Sequence, residues 1–253
     1  MPERSQALEA DIAQQLRLAS TATLTTILFN KGLRNVFMQG VRPVQPGKAR
    51  MVGPAYTLRM IPCREDIDSL FERDSRTDLQ RVTTETVPAG AVLVIDSRGD
   101  AAGASGGALL ALRMQVRGVA GIVTDGGFRD SPEIGMLDMP AFHSAPAAPP
   151  VVVRHHPEDV QLAIACGGVS VRPGDIIVGD DEGIVVIPRA MAAEVARLAV
   201  RKEDVEDFIA VELRAGRPVT GLYPPDDAAM RQYEAWVERG RPGSQHFQDE
   251  SVV

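Results

Sequence analysis

The sequence predicts an α/β fold organised around a parallel βαβ unit, and three observations carry that reading. Two short, almost wholly apolar runs, AVLVI (91–95) and VAGIVT (119–124), suit strands buried on both faces. Between them, residues 106–117 have helical spacing: Leu109, Leu112 and Val116 make one stripe, Arg113 and Arg117 lie on the other side, and Gly118 ends the helix. Each strand then runs into a glycine-rich loop, 96–107 and 125–130. Strand, helix and strand of this length form a crossover that is right-handed by default.

The other elements follow in order. Residues 3–18 carry Leu8, Ile12, Leu16 and Leu18 near helical spacing. Ser20-Thr21 caps a second helix running to about residue 30, which Gly32 stops. Two prolines and a glycine make 41–50 an extended loop. MVGPAYTLRMIP (51–62) reads as a strand, with Pro54 marking an edge or a bulge near its start. Ile67, Leu70 and Phe71 suggest a short helix within 64–77, and 78–90 has no clear pattern. Pro132 fits the first turn of a short helix to about Leu137. His155 and His156 read as a solvated loop pair beside an edge strand, and His143 as a structural residue. Residues 167–188 alternate short strands with turns at 172–175 and 180–183, so Asp180, Asp181 and Glu182 are hairpin-turn residues. A long amphipathic helix covers 188–215 and a last one 225–240, capped by Asp226 or Asp227, before a polar tail that reads as mobile. The simplest organisation is a single domain over 1–253, with a core of about 20–215 and helical extensions at both ends.

Composition bounds the function. The 253 residues are 44% apolar and 24% charged, ordinary for a soluble globular chain. A net charge of −7, with acids and bases interspersed, argues against a nucleic-acid or anionic-membrane partner. No apolar run approaches the roughly 18 residues of a membrane span. The N-terminus is polar and lacks a signal-peptide core, and Cys63 and Cys166 lie far apart and read as buried free thiols. Together these predict a cytoplasmic location.

The site is expected beyond the carboxyl ends of the two parallel strands. The first loop ends at a helix N-terminus rich in small residues, where free N–H groups favour an anion. The second supplies Arg129, a fork donor for a carboxylate, followed by Asp130, which either pairs with the arginine or holds a divalent cation. A small 2-oxo acid fits this set. Its carboxylate would lie on the amides of Gly107, Ala108, Leu109 and Leu110 and on Arg129, with Mg²⁺ or Mn²⁺ on Asp130 as Lewis acid. Other chemistries lack their motifs: there is no G-x-G-x-x-G, no G-K-[ST], no G-x-S-x-G and no H-E-x-x-H.

The run GASGGALLALRMQVRGVAGIVTDGGFRD, with the later VRPGDIIVGDDEGIVVIPR, resembles the RraA-like family over roughly residues 20–215. That family holds class II pyruvate aldolases acting on 4-hydroxy-4-methyl-2-oxoglutarate and 4-carboxy-4-hydroxy-2-oxoadipate, and the regulator of ribonuclease E. The resemblance implies a ββα sandwich of the phosphohistidine swivelling-domain type, here with added N- and C-terminal helices. It also implies a homotrimer or dimer of trimers with interfacial sites. By position, Arg129 matches the family's ligand to the substrate carboxylate and keto oxygen, Asp130 its direct metal ligand, and Gly107 to Leu110 the carboxylate-binding amides. The implied activity is a metal-dependent lyase on a 2-oxo acid that releases pyruvate and also decarboxylates oxaloacetate. The alternatives are a non-catalytic ribonuclease E regulator, or a dehydratase or isomerase on a sugar-derived acid. The sequence departs from the family at one place. Ala108 stands where the aldolases carry an acid, and Asp100, Asp125 and Glu203 are the candidates to replace it.

Overall fold

The computed structural model describes residues 7–68, 74 and 76–244. Helices α1 (Ala10–Leu18) and α2 (Thr21–Asn30) lead into strands β1 (Arg42–Pro43) and β2 (Met51–Pro62). Helix α3 (Leu79–Thr86) precedes three strand pairs: β3 (Val92–Asp96) and β4 (Ala104–Gly106), then helix α4 (Ala108–Val116); β5 (Gly121–Thr124) and β6 (Gly127–Phe128), then α5 (Ser131–Met136); and β7 (Ala141–His143) with β8 (Ala145–Pro146). Strands β9 (His155–Val160), β10 (Ile164–Cys166), β11 (Val169–Val171), β12 (Ile176–Asp180) and β13 (Gly183–Ile187) follow, and helices α6 (Ala192–Arg214) and α7 (Asp227–Glu238) close the chain. The first two strand pairs with their helices are successive ββα units, the expected sandwich.

The main sheet has the order β1-β7-β5-β3-β2-β12-β13, with β9 also paired to β2. Strands β2, β3, β5 and β7 are mutually parallel, so their carboxyl ends share one edge. The short strands β4, β6 and β8 form a second parallel sheet there. Strand β3 shows why the apolar runs were legible. Val92 and Val94 enter one core, Leu93 and Ile95 another, on opposite faces. Each such side chain contributes about 1.5–3 kcal/mol on burial. Strand β13 does the same: Ile184 and Val186 share the inner core with β3, while Val185 and Ile187 pack against α1, α2 and α6. The sheet thus curls around an aliphatic interior, with α1, α2 and α6 covering one flank and α4 and α5 the other.

Several expectations hold. Ser20 caps α2 by accepting from the Thr23 amide, Asp226 caps α7, and Pro132 lies in the first turn of α5. Asp180 does more than turn a hairpin, since its carboxylate accepts from the Thr21 amide and hydroxyl at 2.7 and 2.8 Å. Neither Cys63 nor Cys166 is in a disulfide, as expected, but only Cys166 is buried. No helix among the described residues is long and apolar enough to cross a membrane.

Other expectations are corrected. Pro54 is not on an edge. Strand β2 is central, and the proline, with no N–H for a ladder, stands where β2 passes from β12 to β3. The first helix starts at Ala10, and residues 3–6 lie outside the described ones, as do Leu70 and Phe71 of the helix expected within 64–77. Among the described residues of this part of the chain, the helix is α3, capped by Asp78. His155 is no solvated loop residue: it opens β9 with 1% exposure, because β9 lies along β2. The stripe on α4 faces outward. Leu109, Leu112 and Val116 are 81%, 44% and 69% exposed, and the helix buries Ala111 and Met114 instead. The start of the tail is folded back, with Arg241 on Asp204 at 2.9 Å and Ser244 buried beside Asp207, while 245–253 lie outside the described residues.

Candidate functional site

Two loops leave the carboxyl ends of β3 and β5, and a buried polar network locks them together. The Asp125 carboxylate accepts from the amides of Ser97, Gly99 and Gly167 at 2.7, 3.1 and 3.4 Å. Burial pushes its pKa up, and the nearby Asp96 adds to the shift. The hydroxyls of Ser97, Ser105 and Thr124 form a triangle with sides of 2.6, 3.0 and 3.0 Å. Gly126 makes this closeness possible, since a Cβ there would stand 2.6 Å from Ser97 Cβ. His155 Nε2 lies 3.1 Å from the Gly103 carbonyl, and burial lowers the histidine's pKa. Satisfied networks of this kind are rigid, so the segments they carry keep a fixed geometry.

Those segments meet at a cavity of about 720 Å³ lined by Gly107, Leu109, Leu110, Arg129 and Asp130, together with Gln80 and Arg81 from α3 and the 150–152 turn. Strand β6 pairs with β4, and the Arg129 amide donates to the Gly106 carbonyl at 3.0 Å, which sets the arginine beside the start of α4. Asp130 has φ 54° and ψ 37°, a left-handed conformation uncommon for a residue with a side chain. Its carboxylate lies 3.4 Å from Arg129 Nε, and both side chains are nearly half exposed. An ion pair so exposed is worth little, so a ligand replaces it at small cost. Gly107 is the floor of this corner. A Cβ on it would stand 2.8 Å from Arg129 Cγ and 3.0 Å from Asp130 Oδ2.

The first ladder bond of α4 runs from the Ala111 amide to the Gly107 carbonyl at 3.1 Å. The amides of Ala108, Leu109 and Leu110 are therefore the unpaired donors of the first turn, at the positive end of the helix dipole. The Ala108 side chain does not reach the cavity, because its methyl packs on the core below α4.

The three acids considered as replacements for the missing one do not line the cavity. Asp100 accepts from the Ala102 amide and from Arg154, at 2.8 and 2.9 Å, and these bonds lower its pKa. Asp125 is committed to the loop amides. Glu203 lies on α6, where it accepts from the Ser20 amide and hydroxyl. Asp130 is the one acid among the lining residues.

A divalent cation fits this donor set in one form only. Among the described residues no three His, Cys, Asp or Glu side chains cluster as metal ligands. A closed zinc site is thereby excluded among them, whereas an ion held by one carboxylate, waters and substrate oxygens matches the habits of Mg²⁺. The carboxylate available for such a ligand is Asp130, which lines the cavity and is nearly half exposed.

A family model described as RraA-like, Aldolase/RraA, matches residues 20–186. The chain belongs to the Aldolase/RraA family. Its relatives in this family include a Halalkalibacterium halodurans protein provisionally named 4-hydroxy-4-methyl-2-oxoglutarate aldolase, 30% identical over 195 residues, which are 77% of this chain and 85% of that one. Streptomyces coelicolor RraAS2, described as an unusual member of the RNase ES inhibitor RraA family, superposes with a TM-score of 0.72 at 31% identity, covering 80% of this chain and 97% of that one. An uncharacterised Pseudomonas syringae protein has the same fold, with a TM-score of 0.77 at 23% identity over 89% of this chain and 99% of that one.

Sequence reasoning missed Gln80 and Arg81. The signal that could have found them is Asp78 ahead of Leu79, a helix N-cap whose carboxylate accepts from the Arg81 amide at 3.1 Å.

Proposed function

We propose that this protein is a divalent-metal-dependent lyase that cleaves a 2-oxo acid and releases pyruvate. The observation that carries the reading is the meeting of Arg129, Asp130 and the free amides of the first turn of α4 in one cavity. The amides of Gly107, Ala108, Leu109 and Leu110 take the substrate carboxylate, as helix N-termini take anions. Arg129 spans the carboxylate and the adjacent keto oxygen with its fork of donors. Cleavage of the bond between the third and fourth carbons leaves an electron pair that spreads onto the keto oxygen, where the guanidinium offsets the charge. Asp130 would hold Mg²⁺ or Mn²⁺, which when bound supplies Lewis acidity at the same oxygen. Decarboxylation of oxaloacetate needs the same electron sink, so it belongs to the same proposal.

With Ala108 in place of an acid and Asp130 assigned to the metal, no acid is left among the described residues lining the cavity to transfer the proton. The exposed apolar surface of α4, together with Met136 of α5 at 71% exposure, supports self-association, and a homotrimer or dimer of trimers is the form the family resemblance implies. Leu109 belongs both to that surface and to the cavity wall, so a neighbouring subunit would border the site. The test is pyruvate release from 4-hydroxy-4-methyl-2-oxoglutarate and from oxaloacetate with Mg²⁺ or Mn²⁺. Turnover that EDTA and Asp130→Ala both abolish supports the reading. A protein that binds no divalent ion and turns over neither substrate, but retains ribonuclease E in a pull-down, belongs with the regulators instead.

A further inference from the structure

We infer that Arg81 selects the far end of the substrate by binding a second anionic group, a carboxylate or a phosphate, carried beyond the 2-oxo acid head; this rests on the reading just given. Arg81 lies on α3, outside the two loops that build the head-group site, yet it lines the same cavity as Arg129 and Asp130. It also lines an adjoining cavity of about 430 Å³, which shares Leu110 and adds Arg76, Arg113 and Glu85. Arg81 therefore stands where the space around the head group continues along α3.

Its side chain has no hydrogen-bond or ion-pair partner among the described residues, in a chain with 34 acids and 27 bases. The natural partner is engaged elsewhere. Glu85 is four residues on, where an intrahelical pair would form, but both its oxygens are taken by Arg113 at 2.9 and 2.8 Å, and Arg117 approaches to 3.6 Å. The same contacts fix the helix. Glu85 ties its C-terminal half to α4, and Gln80 Nε2 donates to the Ser105 carbonyl at 2.7 Å, tying its first turn to β4. Arg81 is thus an exposed guanidinium on a helix that is itself held in place, without a partner among the described residues, and it shares a cavity with the arginine assigned to the head group. A monocarboxylate ligand leaves it without a counter-charge, whereas a ligand with a second anion does not.

The experiment is calorimetric titration of the full-length protein with Mg²⁺, comparing wild type, Arg81→Gln and Arg81→Lys. The probes are pyruvate, 2-oxoglutarate, its phosphonate analogue 2-oxo-4-phosphonobutanoate, and 2-oxopentanoate, which has the chain length of 2-oxoglutarate without the distal charge. Wild type should favour the two probes that carry a distal anion over 2-oxopentanoate, and the better bound of the two names the distal group. In Arg81→Gln that affinity ratio should fall by roughly 10–100-fold, the value of a charge-assisted hydrogen bond, with partial recovery in Arg81→Lys. A wild-type ratio near one, a ratio unchanged by Arg81→Gln, or equal weakening toward all probes overturns the inference. If wild type fails to bind pyruvate at all, the 2-oxo acid reading itself falls, and this inference with it.

Discussion

Substituting Gly107 by alanine tests whether the corner formed by Arg129 and Asp130 is the working geometry. The backbone there is extended, at φ −149°, so alanine is not strained. The added methyl carbon would stand 2.8 Å from Arg129 Cγ and 3.2 Å from Cδ. Carbons rest about 3.5 Å apart, so the base of the arginine must retreat by about 0.7 Å. Asp130 Oδ2, at 3.0 Å, is pressed from the same side. Displacements approaching 1 Å in a reacting constellation cost on the order of 10²-fold in rate. The fold should barely register the change. Alanine is a poorer N-cap than glycine by up to about 1 kcal/mol, equivalent to roughly 2–4 °C in melting temperature for a chain of this size. The assay is kcat/KM for pyruvate release, coupled to lactate dehydrogenase, beside thermal unfolding of the same preparation. A variant of wild-type kcat/KM refutes the geometry; a melting temperature lowered by more than about 10 °C assigns Gly107 a structural role instead.

Other perturbations read other parts of the molecule. Asp125→Asn keeps one acceptor for three amides and should cost about 1–3 kcal/mol, the penalty of leaving buried donors unmet. Because burial raises the folded-state pKa of Asp125 above its unfolded value, its contribution is fully present below the unfolded pKa and is lost as pH rises through the folded pKa. The stability advantage of wild type over Asp125→Asn should therefore shrink as pH is raised from about 4, in denaturant titrations; an advantage that grows over that range contradicts the assignment. Leu112→Glu and Val116→Glu should lower the mass measured by light scattering toward that of a monomer without changing the helical circular dichroism, since both side chains are exposed in the protomer. An unchanged oligomer would place the subunit contact elsewhere. Asp130→Ala should abolish both divalent-ion binding and pyruvate release, and pyruvate release that survives in the absence of bound metal would remove Asp130 from the proposed reaction.

What the chain by itself determined is the part governed by local chemistry. Val92 to Ile95 and Gly121 to Thr124 were readable as strands because both faces of each are buried, which leaves Thr124 as the one polar residue in the two runs. Ser20, Gly32 and Pro132 announced helix boundaries through their own backbone and hydrogen-bonding preferences. The loops carrying Arg129, Asp130 and the small residues before α4 were legible as neighbours, because the parallel strands of one βαβ unit bring their carboxyl ends together.

Tertiary structure decided what depends on partners distant in sequence. Periodicity located the stripe Leu109, Leu112 and Val116, but a stripe does not say what covers it, and in the protomer the sheet is met by Ala111 and Met114. Residues 155–160, HHPEDV, carry no strand signature and become β9 only because β2 offers them an edge. LQRVTTET is a weak helix by propensity, with three threonines and a valine, and it is held by its Asp78 cap, buried Thr83 and Thr84, and ties to β4 and α4. Arg81 enters the cavity through that docking, and Asp125 leaves it through contacts with Ser97, Gly99 and Gly167. Such contacts join segments as many as 42 residues apart, and no local pattern encodes them.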